Sequence, residues 1–372
     1  MMETLKPQRT DFADVMYTFL QKELLADMSA KLQAAGEDPE VQIPLANVFV
    51  DLPVADSAEA ATLAQSSRDS EQPKIIERLL DVGACILRRP LLEQGAQPVD
   101  EPIVFVSRTS RFVLVGGPGQ GKSTLAQYLC QLYRAAILND RPRHLLDERV
   151  PGVIRQLEGQ REEVGGLPMA RRFAVRVELR TFSYALAQDS SLTLLEYLRA
   201  EIARLGSAPI PIEDLKDWLS SYPWLLVLDG LDEVPPSSNR ADVMQQIEHF
   251  QIDAANRNAD ILIVATTQPQ SYSQEFPGDL FQHLYLTPLS PKQALDYGRR
   301  LAQARCGADE RRCEELMRNL EKACEAETTA RLMQSPLQVT IMATLLLCEF
   351  ARKKENPSLE RYITSPYILL VL

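Results

Sequence analysis

Residues 111–124, RFVLVGGPGQGKST, confine the fold of this chain more than any other stretch. An apolar run of strand composition is followed at once by four glycines, one proline and one glutamine in six positions, and then by Lys122, Ser123 and Thr124. A loop so rich in glycine has few side chains to shield its backbone, so successive N–H groups can turn inward as an anion-binding nest. The apolar spacing that resumes at Leu125 marks a helix, and its first N–H groups and positive dipole end point into the same loop. The stretch fits GxxxxGK[ST] in the strand–loop–helix setting that its mechanism needs, a P-loop (Walker A). Gly116, Gly117, Pro118, Gly119, Gln120 and Gly121 are therefore expected to wrap a phosphate chain. Lys122 is expected to reach the β- and γ-phosphates, Ser123 to offer its hydroxyl to Mg²⁺, and Thr124 to lie near the α-phosphate.

A second stretch supplies the complementary carboxylate. Residues 224–233 read WLLVLDGLDE, an apolar strand that ends on Asp229. A carboxylate at the C-terminal end of a strand beside a phosphate loop is placed to hold Mg²⁺, commonly through water (Walker B). Gly230 leaves room for phosphate or water to approach. Asp232 and Glu233 follow one turn later and are the candidate catalytic groups, which orient or deprotonate an attacking water. A guanine-reading Asn-Lys-x-Asp has only a loose imitation in residues 239–242 (NRAD), with no strand before it. That tetrapeptide reads as a helix N-cap, and the expected cofactors are ATP/ADP with Mg²⁺.

The rest of the chain is read around these two motifs. Its 372 residues suit two or three domains. Short apolar runs at 112–115, 173–179, 224–228 and 261–265 alternate with helical patterns at 123–137, 192–205, 212–220 and 241–255. The first, third and fourth runs are apolar at nearly every position and predict strands buried on both faces. The alternation predicts an α/β fold, a doubly wound parallel-sheet P-loop NTPase domain over 103–288. A small helical domain follows over 289–372, where Ser290-Pro291 and Ser335-Pro336 each place an N-cap before a first-turn proline. Residues 1–102 form a mainly helical N-terminal segment. It has a helix over 12–32, an extended run at 43–54, a Ser/Ala/Asp-rich linker at 55–72 and an amphipathic helix from Ile75 that Pro90 stops. The turn-rich stretch 94–102 predicts a domain boundary. The apolar close of the chain, PYILLVL, predicts that the protein continues beyond Leu372 and that the helical domain is incomplete.

Composition narrows the partners. A net charge of −11 argues against direct binding to nucleic acid or an anionic membrane, since phosphate surfaces select basic ones. The arginines scattered through 134–172 interleave with acidic residues and read as a solvated face. Six cysteines include no CxxC pair and accompany only three histidines, so they read as reduced thiols rather than zinc ligands. No signal peptide opens the chain and no apolar run is long enough to span a bilayer. The default location is the cytoplasm.

Taken together, GGPGQGKST and LLVLDGLDEVP resemble the NACHT family of STAND P-loop ATPases, whose second motif has a small residue after the first Asp and then an acidic pair. VFVDLPV (48–54) and VRVELRTFS (175–183) are similar to pieces around that domain in bacterial NACHT proteins. The resemblance implies that 261–269, ILIVATTQP, is the strand that senses the γ-phosphate. Thr266 and Thr267 then stand at its hydroxyl positions, and Gln268 stands where the family has arginine. It implies that Pro336, in Ser335-Pro336-Leu337, packs on adenine. It further implies a molecular switch held closed by ADP, an unknown protein trigger, exchange for ATP and self-association on activation, often in antiphage defence. Two alternatives stay open. One is an AAA+-like motor, with Arg299, Arg300 and Arg331 as unassigned finger or sensor candidates. The other is a nucleotide-dependent scaffold with little hydrolysis, for which Gln268 speaks.

Overall fold

The computed structural model describes residues 12–29, 43–64, 73–84, 111–161, 166–307 and 309–355. Their contacts fall into two units. The first comprises Met1–Ser29, Asp51–Pro118 and Lys122–Thr287, and the second Ala30–Val50, Gly119–Gly121 and Pro288–Leu372.

The first unit is built on a six-stranded sheet. The strands are β1 (Val54–Ala55), β2 (Arg111–Val115), β3 (Phe173–Glu178), β4 (Trp224–Asp229), β5 (Ile261–Thr267) and β6 (Gln282–Leu286), in the spatial order β1-β6-β2-β5-β4-β3. All neighbours run parallel except β1, which pairs antiparallel with β6 at the edge. The strand most apolar in sequence, β4, has every residue buried and lies between β3 and β5. Its residues Trp224 to Leu228 are each 0% exposed, as a strand covered by helices on both faces requires. From β2 the chain crosses to β3 at the far edge and returns through β4 to β5 beside β2. It then passes to β6 on the other side of β2. The C-terminal end of β2 is therefore the point where connections diverge, the usual ligand crevice of such sheets.

Three elements were not legible in the apolar pattern. β6 alternates and is only partly buried. The helices Val150–Gly159 and Leu179–Gln188 carry short apolar stripes in otherwise polar stretches. The expected linker 55–72 opens instead with the end of β1 and a helix, Ala58–Ala64. The expected extended run at 43–54 contains a four-residue helix, Leu45–Val48. The N-terminal helix is Phe12–Ala26, shorter than the apolar spacing suggests. The boundary at 94–102, Pro90 and the apolar terminus lie outside the described residues.

The helix after the phosphate loop, Lys122–Asn139, is buried around almost its whole circumference. One side packs on the sheet and the other receives the helix Phe12–Ala26. The carbonyls at the end of that helix have no partners within it. Gln131 Nε2 donates to Leu24 O at 2.9 Å, and Gln127 Nε2 donates to Asp27 O at 2.9 Å. These bonds explain two glutamines among the buried residues of the helix.

Several arginines of 134–172 depart from the expected solvated face. Arg134 is 0% exposed and Arg172 2%, and Arg161 is also buried. Arg134 is paired with Glu23 at 2.5 Å and Asp27 at 2.9 Å, and Arg172 with Asp260 at 2.8 Å. Their partners come from residues 23–27 and 260, so the acidic residues nearest in sequence were the wrong guide. Arg143, Arg149 and Arg155 do face solvent.

The second unit is helical. Ser290 accepts from Gln293 N–H in a capping box, with Pro291 opening the helix Pro291–Cys306. Ser335 Oγ likewise accepts from Gln338 N–H at 3.3 Å where Pro336–Glu355 begins. Gly298 lets the helix Glu310–Glu325 come close, since a Cβ there would lie 2.9 Å from Leu320. Tyr297 and Thr340 share a buried hydroxyl hydrogen bond of 2.8 Å. No helix among the described residues is long and apolar enough to cross a membrane.

Asp51 anchors the Ile75–Ala84 helix in the first unit by accepting N–H groups from Ile76 at 2.9 Å and Glu77 at 3.2 Å. Burial pushes its carboxyl up to about 6, against the pull of those two N–H groups. The folded chain then binds a proton between about pH 4 and 6, where the unfolded chain has released it, so this group's contribution to stability falls as pH rises through that window. Asp51→Asn keeps an acceptor for the helix and removes the titration. Across that window, the melting temperature of the variant should fall less with rising pH than that of the wild type. Parallel melting curves would reject the assignment.

Candidate functional site

The phosphate loop leaves β2 at Gly116, whose N–H donates to Thr267 O on β5 at 3.1 Å. Gly119 and Gly121 have φ of +72° and +82°, a region that side-chain-bearing residues avoid. Those two glycines shape the loop. Gln120 stands between them, and Gly116, Gly117 and Pro118 precede them. The tip, Gly119–Gly121, groups with the second unit, where Leu337 N–H donates to Gly119 O at 3.3 Å. Pro336 is the first residue of that unit's Pro336–Glu355 helix.

Lys122 and Ser123 open the long helix, with Thr124 next to them. Lys122 is buried, and its Nζ donates to Gly116 O at 2.8 Å and Gly117 O at 3.1 Å. Its ammonium is thus folded back onto the carbonyls of the loop. Burial lowers its affinity for the proton, and the charges of Asp232, Asp229 and Glu233 oppose that shift. One ammonium beside three carboxylates leaves excess negative charge, which a divalent cation would offset.

Asp229 ends β4 and collects three side chains. Ser123 Oγ donates to its Oδ1 at 3.1 Å, Thr266 Oγ1 donates to the same oxygen at 2.7 Å, and Arg176 Nη1 approaches Oδ2 at 3.3 Å. Thr266 also accepts Gly230 N–H at 2.8 Å, which ties the turn after β4 to β5. Gly230 has φ of +80°, and a Cβ on it would meet Glu233 at 3.3 Å, so the turn is closed to larger residues. Sheet register produces this convergence. Val115 lies opposite Thr267 and Leu228 opposite Ala265, which brings the ends of β2, β5 and β4 to one level.

Asp232 and Glu233 sit in a single 3₁₀ turn, Leu231–Glu233. Burial, and then the neighbouring charges of Asp229 and Asp232, raise the Glu233 carboxyl above its ordinary value, with Arg180 opposing. That shift suits a proton acceptor better than an ordinary surface carboxylate would. Two polar atoms here are buried without a protein partner, Asp232 Oδ1 and Thr267 Oγ1. Buried hydroxyl and carboxylate oxygens are ordinarily satisfied, so both point to a polar group that the chain does not itself supply. With the Ser123–Asp229 pair, they fit a nucleotide triphosphate and its magnesium. Gln268 follows Thr267 and precedes the turn Pro269–Ser271.

Asn239 and Arg240 have other work. Asn239 precedes the helix Arg240–Asn256 but its side chain does not cap it. Instead Asn239 Oδ1 accepts from Ser183 Oγ at 2.6 Å, and Nδ2 donates to Ser183 O at 2.8 Å. Arg240 pairs with Glu275 at 2.6 Å. Arg176 was the site residue that the motifs did not reveal. Its only signal was a charged residue inside an apolar strand pattern, FAVRVE.

Neither a protein-family model nor a curated protein matches this sequence. Among solved structures that match, C. elegans PCH-2 aligns at 12% identity over 82% of this chain and 72% of its own, with a TM-score of 0.36. The Aeropyrum pernix ORC1 protein in complex with DNA aligns at 18% identity over 73% and 64%, with a TM-score of 0.30. The replication initiator DnaA bound to AMPPCP and single-stranded DNA aligns at 12% over 68% and 60%, with a TM-score of 0.31. This chain therefore spans less than two thirds of the ORC1 and DnaA chains. Likenesses this distant assign no activity. Two of the three are complexes with DNA, however, and the expectation of no direct nucleic-acid binding is corrected accordingly. Its physical weakness is that a net charge of −11 is a sum over the chain and does not describe any local surface. The loop, the strand-end carboxylate and the sheet order give this chain the fold of a P-loop nucleoside-triphosphate-binding protein.

Lys122→Ala removes the only side-chain cation of the loop. Loss of such a charge-assisted contact costs ~2–3 kcal/mol, so nucleotide affinity should fall at least about tenfold in equilibrium titration. Affinity equal to wild type would sink the phosphate-loop assignment.

Proposed function

We propose that this chain is the magnesium-dependent ATP-binding and slowly hydrolysing switch module of a NACHT-type STAND protein, working in the cytoplasm in signalling or antiphage defence. The observation that carries the nucleotide part is the 3.1 Å contact of Ser123 with Asp229. It joins the helix after the phosphate loop to the strand-end carboxylate, the two groups that would hold magnesium. The NACHT part is supported by the paired motifs GGPGQGKST and LLVLDGLDEVP.

On this reading Lys122 and the loop N–H groups hold the phosphates, with Ser123 and Asp229 on the metal side. Bound magnesium would neutralise phosphate charge and so favour attack at the γ-phosphorus. Asp232 and Glu233 orient the attacking water and take its proton, and Thr267 donates to the γ-phosphate. Gln268 offers that phosphate an amide in place of a cation, so transition-state charge is less well balanced and turnover is slow. Adenine is the proposed base, since Asn239 and Arg240 are occupied with Ser183 and Glu275. Pro336 is the proposed contact for it. An AAA+-like motor would use the same phosphate site at a faster rate.

Steady-state phosphate release at saturating ATP tests the hydrolytic assignment. Gln268→Arg should raise the rate, while Asp232→Ala and Glu233→Ala should lower it. Each ~1.4 kcal/mol of transition-state stabilisation changes the rate tenfold, and an oxyanion-type donor commonly contributes ~3–4 kcal/mol. A wild-type rate of about 1 s⁻¹ or more, ordinary for enzymes and unchanged by arginine, would favour the motor and reject the slow switch.

Adenine specificity has a separate test. Unlabelled ATP should displace a fluorescent ATP analogue at lower concentration than GTP does. Equal displacement would reject adenine.

A further inference from the structure

The carboxylate at the end of β4 is wired to the N-terminal helix. Arg176, in the middle of β3, places Nη1 3.3 Å from Asp229 Oδ2 and 3.1 Å from Glu178 Oε1, while its Nη2 lies 3.1 Å from Asp27 Oδ1. Asp27 follows the helix Phe12–Ala26 and is 4% exposed. Its other oxygen, Oδ2, accepts from Arg134 Nη1 at 2.9 Å, and Arg134 also holds Glu23. Burial weakens the Arg176 guanidinium, but the charges of Asp27 and Asp229 outweigh it and hold its pKa above the ordinary value. Arg176 therefore stays charged. One cation is shared among three carboxylates, one of which is the proposed metal-side group.

We propose that Arg176 and Asp27 are positioning residues that set how tightly Asp229 can engage magnesium, and that the N-terminal helix is coupled to nucleotide binding through them. The inference rests on the reading of Asp229 as the metal-side carboxylate. Asp229 Oδ1 already accepts two hydroxyls, so Oδ2 is its less committed oxygen, and Arg176 faces it. A guanidinium there satisfies the same negative charge that a divalent ion needs, so the two cations compete. Asp27 draws the guanidinium towards the N-terminal helix and relieves the competition. By reciprocity, magnesium nucleotide at Asp229 shifts Arg176 towards Asp27 and tightens the hold on that helix.

The test is equilibrium binding of a fluorescent ATP analogue, titrated with magnesium and repeated in chelator. Arg176→Met keeps the apolar stem and leaves Asp27 paired with Arg134. Asp27→Asn leaves Arg134 paired with Glu23, and Arg176 with Asp229 and Glu178. Arg176→Met leaves the buried Asp229 with the Ser123 and Thr266 hydroxyls as its remaining donors, so the variant's melting temperature is measured alongside. Arg176→Met should lower the half-saturating magnesium concentration and Asp27→Asn should raise it, each by about fivefold or more, with the shifts read relative to each variant's own metal-free affinity. The double variant should behave as Arg176→Met, because Asp27 acts only through the arginine. In the wild type, magnesium nucleotide should slow hydrogen exchange in the helix Phe12–Ala26, and in Arg176→Met it should not. A merely structural role would lower both melting temperatures without moving the magnesium midpoints in opposite directions. Shifts of the same sign, no shift in Arg176→Met, or an Asp27→Asn effect that survives in the double variant would overturn the proposal. If Asp27→Asn does not fold, Arg176→Met alone still decides by its midpoint and exchange pattern. A wild-type chain that binds no nucleotide, or a Lys122→Ala variant that binds as well as wild type, would instead overturn the nucleotide reading itself.

Discussion

The hydrogen bond from Thr266 to Asp229, 2.7 Å long and fully buried, is the contact on which the site depends. It ties β5 to the end of β4, and the same hydroxyl accepts Gly230 N–H, so one threonine fixes both the carboxylate and the turn that carries Asp232 and Glu233. Its partners meet only because β2, β5 and β4 are parallel and in register. Parallel pairing in turn requires both faces to be covered, which the all-buried β4 and the almost wholly buried Lys122–Asn139 helix reflect. Packing and chemistry are thus one constraint here. A slip of one residue between β4 and β5 would turn Thr266 to the opposite face.

Around that contact the chain buries more charge than its apolar pattern suggests. Removing Arg134 or Asp27 from water carries a desolvation cost, and the attraction between them offsets it only when every charge is paired. The geometry meets that condition for Arg134, which has Glu23, Asp27 and the carbonyl of Ala174 within reach. Such a network is a poor source of net stability but a strict specifier of position. An apolar contact between Phe12–Ala26 and Lys122–Asn139 would tolerate sliding, whereas Arg134 and Arg176 admit one placement of Asp27. This is a physical reason for residues 12–29 to travel with the sheet.

The sequence made the phosphate loop, Asp229 and four of the six strands legible for one reason. Each is announced by a local pattern, a glycine-rich turn or an uninterrupted apolar run, whose meaning does not depend on distant residues. β6 and the helix Leu179–Gln188 escaped because a half-covered element mixes polar and apolar residues without a clear period. The buried arginines escaped for a deeper reason. Arg134 is stabilised by Glu23 and Asp27, more than a hundred positions away, while Asp147 and Glu158 close by in sequence suggested solvent. Charge pairing is decided by tertiary contacts, and neighbouring residues carry little information about it. Arg176, with partners at positions 27, 178 and 229, is the same case within the site.

Gln268 then bears on what the site is for. Thr267 presents a buried hydroxyl with no protein partner at the end of β5, and Gln268 adds an amide just beyond it. On the proposed reading both can hydrogen-bond a γ-phosphate, and a bond to a charged group is worth ~1.5–3 kcal/mol. That is enough to separate ATP from ADP by about tenfold to a hundredfold. Neither residue adds positive charge where it would develop value only in the transition state. On that reading the site is better equipped to distinguish the two nucleotides than to convert one into the other. A switch needs only that distinction, because a ligand shifts a conformational equilibrium by its difference in affinity for the two states and by nothing else. On the proposed reading, an amide at position 268 in place of a cation lengthens the life of the ATP-bound state without erasing what defines it.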